Sequence, residues 1–529
     1  MPTARFSTEQ LGTEPPRAQH IQELFLGLPA GIADLGALLA FRRRGLGPEA
    51  RRRLRLGAGL VLALTATAIV GPAYLRIPLE SKHSRDLVAV LPSLYLGFAL
   101  LSALGAISSG GGREVVPREQ LVAYPVSSVT EHFGALLLAP LNIAWLLQAW
   151  TLLGVTSYVL GPANLPLTEL PVLLWIAAAT ALGQGVGWAF EGIRRGQHGT
   201  LVARLLVGTA AGVVAVLVAT DRVTKILDHS PTVHIYLTAV YGSAAAWDRW
   251  LPGVGVLLAL AIALILAGLI PAHWTLLRPL REEVRLESGH RSPRANPHSD
   301  LVALLRVDRS SIWRSVPLRR GLLVLGLMPG AVALAGALRW ELVTILPGLV
   351  ASGGALLFGV NAWCLDGRGA LWRESLPVSP RLAFAAKAIV LLEVLLAAAA
   401  VTVVLAAVRA GVPNPTQLLA VLMASIVVSV QVVAVSLAWS VSSPYAVDLR
   451  SARATPAPPV VMAGYSARLA VRTTLVGLVF SGSALSPDWR LPVLLAVPFL
   501  CWSALRLLST ARQWEVPDAR SRVIAVVAS

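Results

Sequence analysis

Twelve apolar stretches run through this 529-residue chain, near 55–75, 87–108, 134–156, 170–190, 200–219, 252–275, 321–338, 342–362, 385–407, 417–440, 468–484 and 489–508. Each is close to the ~20 residues that a helix needs to cross a bilayer. Lipid offers no partner to an unpaired backbone group, and the runs are too long and unalternated for barrel strands, so they read as helices. Charged residues make up 14% of the chain, against about 25% in an ordinary soluble domain. The expected fold class is an all-α polytopic membrane protein with about 12 transmembrane helices, arranged as two six-helix halves. The eleventh run is the weakest, because Arg468 and Arg472 fall in its first turns and must snorkel to the interface.

Orientation follows from the basic residues. With the N-terminus inside, 36 of the 45 Lys and Arg fall on the inner segments. That excess predicts two cytoplasmic termini and an even number of spans, in a bacterial plasma membrane. The net charge of +17 is then spread over the ends of apolar runs, and no nucleic-acid partner is expected. Thr3 to Glu23 is polar, so the first span is expected to act as the insertion signal. Cys364 and Cys501 lie far apart in sequence and suggest neither a disulfide framework nor a metal site.

Three landmarks recur in one order. DLGALL at 34–39 returns as DLVALL at 300–305, DLVAVLP at 86–92 as ELVTILP at 341–347, and PVS at 125–127 as PVS at 377–379. The basic, Pro- and Ser-containing stretch 276–299 divides the repeats. The expected organisation is a first half at 1–275, a cytoplasmic linker at 276–299 and a second half at 300–529. Each half opens with a short amphipathic lead-in. Ile32, Leu35, Leu38 and Leu39 recur at helical spacing before Arg42 to Arg44, and Leu301, Leu304 and Leu305 precede Arg306 and Arg309. Such a helix lies along the inner leaflet or forms a soluble cap. The halves differ outside: Thr220 to Leu251 is long and carries His229, His234, Tyr236, Tyr241, Trp247 and Trp250, which suits an interfacial or re-entrant helix.

No GxxxxGK[ST] occurs, and none of the three lysines follows a glycine, so the chain holds no Walker-type phosphate cradle. No HExxH or comparable ligand spacing appears either, and no catalytic residue or metal ligand is assigned. The informative inner segments are 110–133 and 365–387. Each carries glycines, a short mixed charged and apolar stretch, then Pro-Val-Ser before the next span. Glycine lets the chain turn at the surface, and the proline breaks the short helix before it. A pair of such segments is either two surface loops or a twofold docking site.

Together these features resemble the permease subunits of type-2 ABC exporters, in a fused twelve-span form similar to large actinobacterial members. LPVSPR at 376–381, YPVS at 124–127 and PYAVDL at 444–449 carry the resemblance. It implies a cytoplasmic ABC ATPase subunit, in two copies, which would bring its own ATP and Mg and leave this chain without a cofactor. It also implies export of a small or amphipathic molecule such as a drug or antibiotic. The contact residues it singles out are Arg118, Glu119, Tyr124 and Pro125, then Trp372, Arg373, Glu374 and Pro377. Polar residues within spans are candidates for a substrate path: Asn142, Gln148, Gln184, Glu393 and Gln431. Glu393 leads, since an acid at depth usually faces the bundle interior; interhelical hydrogen bonding is the alternative for the amides. The competing function is an ion- or proton-coupled secondary transporter, a class that six-plus-six spans also describe.

Overall fold

The computed structural model describes residues 26–45, 47–75, 82–108, 126–141, 143–220, 222, 230–278, 297–367, 369–446, 457 and 459–528. Everything described is helix, turn or extended connector. In the first part of the chain the helices are α1 (Leu28–Gly45), α2 (Pro48–Tyr74), α3 (Lys82–Ser108), α4 (Ser128–Leu138), α5 (Ile143–Leu160), α6 (Leu165–Arg194), α7 (Gly199–Ala219), α8 (Val233–Ser243), α9 (Trp247–Ala267) and α10 (Leu269–Leu276). The second part holds α11 (Asp300–Arg314), α12 (Val316–Ala335), α13 (Trp340–Val343), α14 (Leu346–Leu357), α15 (Gly369–Glu374), α16 (Pro380–Ala410), α17 (Pro415–Ser442), α18 (Pro459–Ser483), α19 (Arg490–Glu515) and α20 (Pro517–Ala528).

Seven helical segments are long and apolar enough to cross a membrane: Arg55–Tyr74, Leu87–Ser108, Leu165–Arg194, Trp247–Leu276, Pro380–Ala410, Pro415–Ser442 and Arg490–Glu515. An eighth is reached only if Asp300–Arg314 and Leu318–Leu334, bent by 83°, count as one span. The protein is therefore a multi-pass membrane protein of seven to eight such helices among the described residues. The twelve-helix arrangement in two six-helix halves is corrected.

Local breaks explain the difference. The run 134–156 is split by a 3-10 turn at Ala139–Leu141, which contains Pro140. The run 342–362 is cut into the four-residue α13 and the twelve-residue α14, with Pro347 in the first turn. In α7 the apolar stretch is Gly199–Val214, too short to qualify. The 25-residue α18 carries Arg468 and Arg472 and is not among the helices both long and apolar enough.

Around α6 the packing is tight. Gly183 and Gly187, four residues apart, face α3; a Cβ on either would come within 2.8 Å of Ser102 or Ala106. Small residues at this spacing let membrane helices approach at backbone distance. Pro171 has no N–H, so the Leu167 carbonyl one turn earlier loses its helical donor. Trp250 Nε1 of α9 supplies one at 2.9 Å. Leu91, Tyr95, Phe98, Leu152, Leu153, Val172 and Ile176 fill the core between α3, α5 and α6. Arg195 closes the far end of α6 by donating to the carbonyls of Thr275 and Arg278 at 3.0 and 3.2 Å.

In the second part α14, α16, α17, α18 and α19 surround a core containing Phe358, Leu391, Leu395, Val428, Leu437, Tyr465 and Phe480. Ser436 Oγ and Tyr465 hydroxyl meet at 2.6 Å inside it. The helices of each part pack chiefly among themselves, with α3 touching α12 and α5 touching α18.

Candidate functional site

The site with the most assembled chemistry lies where α11, the turn after α14, α15 and the first turns of α16 converge. α11 starts on Ser299, whose hydroxyl accepts from the Val302 N–H at 3.3 Å. Its buried stripe is Leu304, Asp308 and Ile312, at i, i+4 and i+8. An aspartate thus occupies an inward position of an otherwise apolar face. Gly367, at φ +46°, adopts the left-handed conformation that glycine tolerates, so the chain reverses from Asp366 into α15. Pro380 occupies the first turn of α16, where its missing N–H has no helical partner to lose.

These turns bring two acids and two bases together. Arg373 grips Asp308 with both terminal nitrogens, at 2.7 and 3.1 Å. It reaches Asp366 at 3.3 Å. Lys387 Nζ bridges the same two carboxylates at 2.9 and 3.0 Å. The side chains of Lys387 and Asp308 are only 1% and 2% exposed, so neither charge would be tolerated without the other. Burial alone would draw a proton from the Arg373 guanidinium; the Asp308 hydrogen bond and the two carboxylate charges outweigh it and hold its pKa above the usual arginine value.

Beside this network Trp363 stacks face to face on Trp514, with ring centroids 3.9 Å apart. Lys387 Nζ lies 5.4 Å from the Trp363 ring, a cation over an aromatic face. A cavity of about 180 Å³ opens between Leu304, Trp363, Arg373 and Trp514. It is closed by α20, which buries Val523, Ile524 and Val527. Arg520 of α20 donates to Glu374 at 2.7 Å, and Arg381 pairs with Glu515. α20 is thereby tied to α15, and the end of α19 to α16.

The sequence-based contact residues of the second half divide between the two sides of this mount. Arg373 is its central cation and Glu374 holds Arg520, whereas Trp372 is 80% exposed. Leu371 and Leu376 are exposed beside it, and Pro377 ends the segment before α16. Arg118, Glu119, Tyr124 and Pro125, the first-half contacts, lie outside the described residues, as do Asn142 and positions 279–296 of the linker.

The path candidates are scattered. Glu393 is not turned to the bundle interior: its side chain is 41% exposed and pairs with Arg309 of α11 at 2.6 Å. Gln148 of α5 is half-buried. Gln184 of α6 and Gln431 of α17 are buried, each with a side-chain oxygen lacking a partner. No hydrogen bond or ion pair joins any two of Gln148, Gln184, Glu393 and Gln431.

Asp308, Asp366, Lys387, Trp514 and Arg520 were missed as site residues. Two signals pointed to them: Lys387 is one of only three lysines and opens an apolar run, and Asp308 breaks the apolar stripe of its helix. Among the described residues no group of three His, Cys, Asp or Glu is disposed to hold a metal ion.

The chain matches no protein-family model, no curated protein and no solved structure. The resemblance to fused twelve-span type-2 exporter permeases is not upheld, since seven to eight long apolar helices stand where that architecture needs twelve.

Proposed function

We propose that this multi-pass membrane protein is a permease that moves a small or amphipathic molecule outward across the bacterial plasma membrane. The energy comes from a separate ATP-hydrolysing cytoplasmic subunit, which carries the ATP and Mg. That subunit seats on the surface of α15 around Trp372. The observation that carries this reading is the mounting of α15: an exposed tryptophan, flanked by exposed Leu371 and Leu376, stands on a helix fixed from behind by the Arg373 ion network. Exposed aromatics on rigid supports are the usual anchors of protein interfaces, and the chain has no phosphate cradle of its own. Two cytoplasmic termini fit this orientation if the bent pair Asp300–Arg314 and Leu318–Leu334 makes the eighth span.

The test is ATP hydrolysis by protein purified in detergent from its native membrane. The purified wild type is expected to carry ATPase activity. Trp372→Ala, which removes an exposed side chain, is expected to lose at least tenfold of it with an unchanged melting temperature. Purified wild type without ATPase activity contradicts the reading.

A second reading is a permease driven by an ion gradient. It is favoured by one residue, Glu169, whose buried carboxyl finds no partner.

A further inference from the structure

Glu169 occupies the first turns of α6 and is 3% exposed. Among the described residues neither of its carboxyl oxygens has a hydrogen-bond partner, and no charged side chain acts on it. Tyr95 of α3, itself hydrogen-bonded to Thr156 of α5 at 2.9 Å, is within electrostatic reach of both Glu169 and Tyr236 of α8. Of the other described titratable groups on neighbouring helices, Asp248 and Arg249 of α9 are exposed and pair with each other at 3.8 Å. His132 of α4 bonds to the Ile265 carbonyl of α9, and His273 of α10 to Ser128. An ionised carboxylate buried without a cation or a donor is among the most costly groups to bury. The N-terminal end of the α6 dipole favours the anion, but by less than that cost.

α8 packs on the first turns of α6. Thr232 donates to the Pro92 carbonyl at 2.6 Å, and Asn164 to the Ser243 carbonyl at 3.0 Å. Gly242 lies directly on the Leu167 carbonyl, where a Cβ would overlap it. The seat of α8 therefore touches the α6 backbone two residues from Glu169.

We infer that Glu169 is a proton-binding site, loaded while α8 is seated and emptied when α8 lifts. On lifting, water reaches the carboxyl. The O–H bond breaks, its electron pair stays on the carboxylate, and the proton passes to water as hydronium. The site stands apart from the α15 platform and holds whether ATP or a gradient drives transport.

Infrared difference spectroscopy of the full chain in lipid nanodiscs, titrated with alkali, reads this directly. The wild type is expected to show a protonated-carboxyl C=O band at neutral pH that is missing in Glu169→Gln. Gly242→Ala, which forces α8 off α6, is expected to ionise the same carboxyl at least one pH unit lower. The gentler Thr232→Val, which only removes the bond to Pro92, shifts it in the same direction and serves if Gly242→Ala fails to fold. A wild type without the band, or a band that survives Glu169→Gln, overturns the proton site. A titration unmoved by both α8 variants overturns the link to α8.

Discussion

Although Glu191 in the first part is paired with Arg194 and Arg195, two other buried acid sites, one in each part of the molecule, stand in opposite surroundings. In the second, Asp308 and Asp366 are answered by Arg373 and Lys387, four charges in one neutral network. In the first, Glu169 is buried as deeply and, among the described residues, no side chain answers it. A paired network cannot change its charge without large cost, so it holds geometry: here, it fixes α11 and α15 at the base of α16. An unanswered carboxyl has one inexpensive change open to it, the gain or loss of a proton. The contrast assigns a supporting role to one cluster and a working role to the other.

The largest effect is expected from breaking the paired side. Lys387→Met removes a cation that two buried carboxylates share, and losing one partner of such a network costs about 3–5 kcal/mol. Thermal unfolding in detergent should shift sharply downward. Adding Asp308→Asn should restore part of the loss, because it removes one of the stranded acids; a double variant worse than the single one would mean that the cluster is not a single network.

A much smaller effect is expected on the unanswered side. Glu169→Gln replaces a neutral carboxyl by a neutral amide of similar shape, and the melting curve at neutral pH should stay within about 1 kcal/mol of wild type. A loss as large as that of Lys387→Met would show that Glu169 is charged and paired after all, erasing the contrast.

The smallest belongs to Glu393. Its pair with Arg309 is exposed on both sides, and such pairs contribute about 0.2–1 kcal/mol where water reaches them. Glu393→Gln should be barely visible in the same assay.

Much of the architecture was legible in the chain. Composition and run length gave the helical membrane class, and the seven qualifying helices all coincide with apolar runs read from sequence. Both lead-ins fold as helices, and Thr220–Leu251 holds the short α8 before α9 begins at Trp247. The overcount arose where hydropathy is blind. It sums apolar character across Pro140 and across Thr344 and Ile345, although the helix breaks at each. The site was half legible. Periodicity marked the stripe that buries Leu304, but not that Asp308 on the same stripe would meet a lysine 79 residues later. Glu393 misled for the converse reason: depth within an apolar run does not fix which side of the helix faces the bundle, and this one faces Arg309. Glu169 stood at the edge of a run, where a charge normally reaches water; only the packed structure shows that it is buried.

The account rests on one orientation, with the Trp372 platform on the cytoplasmic face and α8 on the other. Membrane-impermeant thiol labelling of intact cells tests it directly, with Cys364→Ser and Cys501→Ser as background. Trp247→Cys, beside α8, is expected to label from outside, and Trp372→Cys only after the membrane is permeabilised. Labelling of both from the same side would contradict the account.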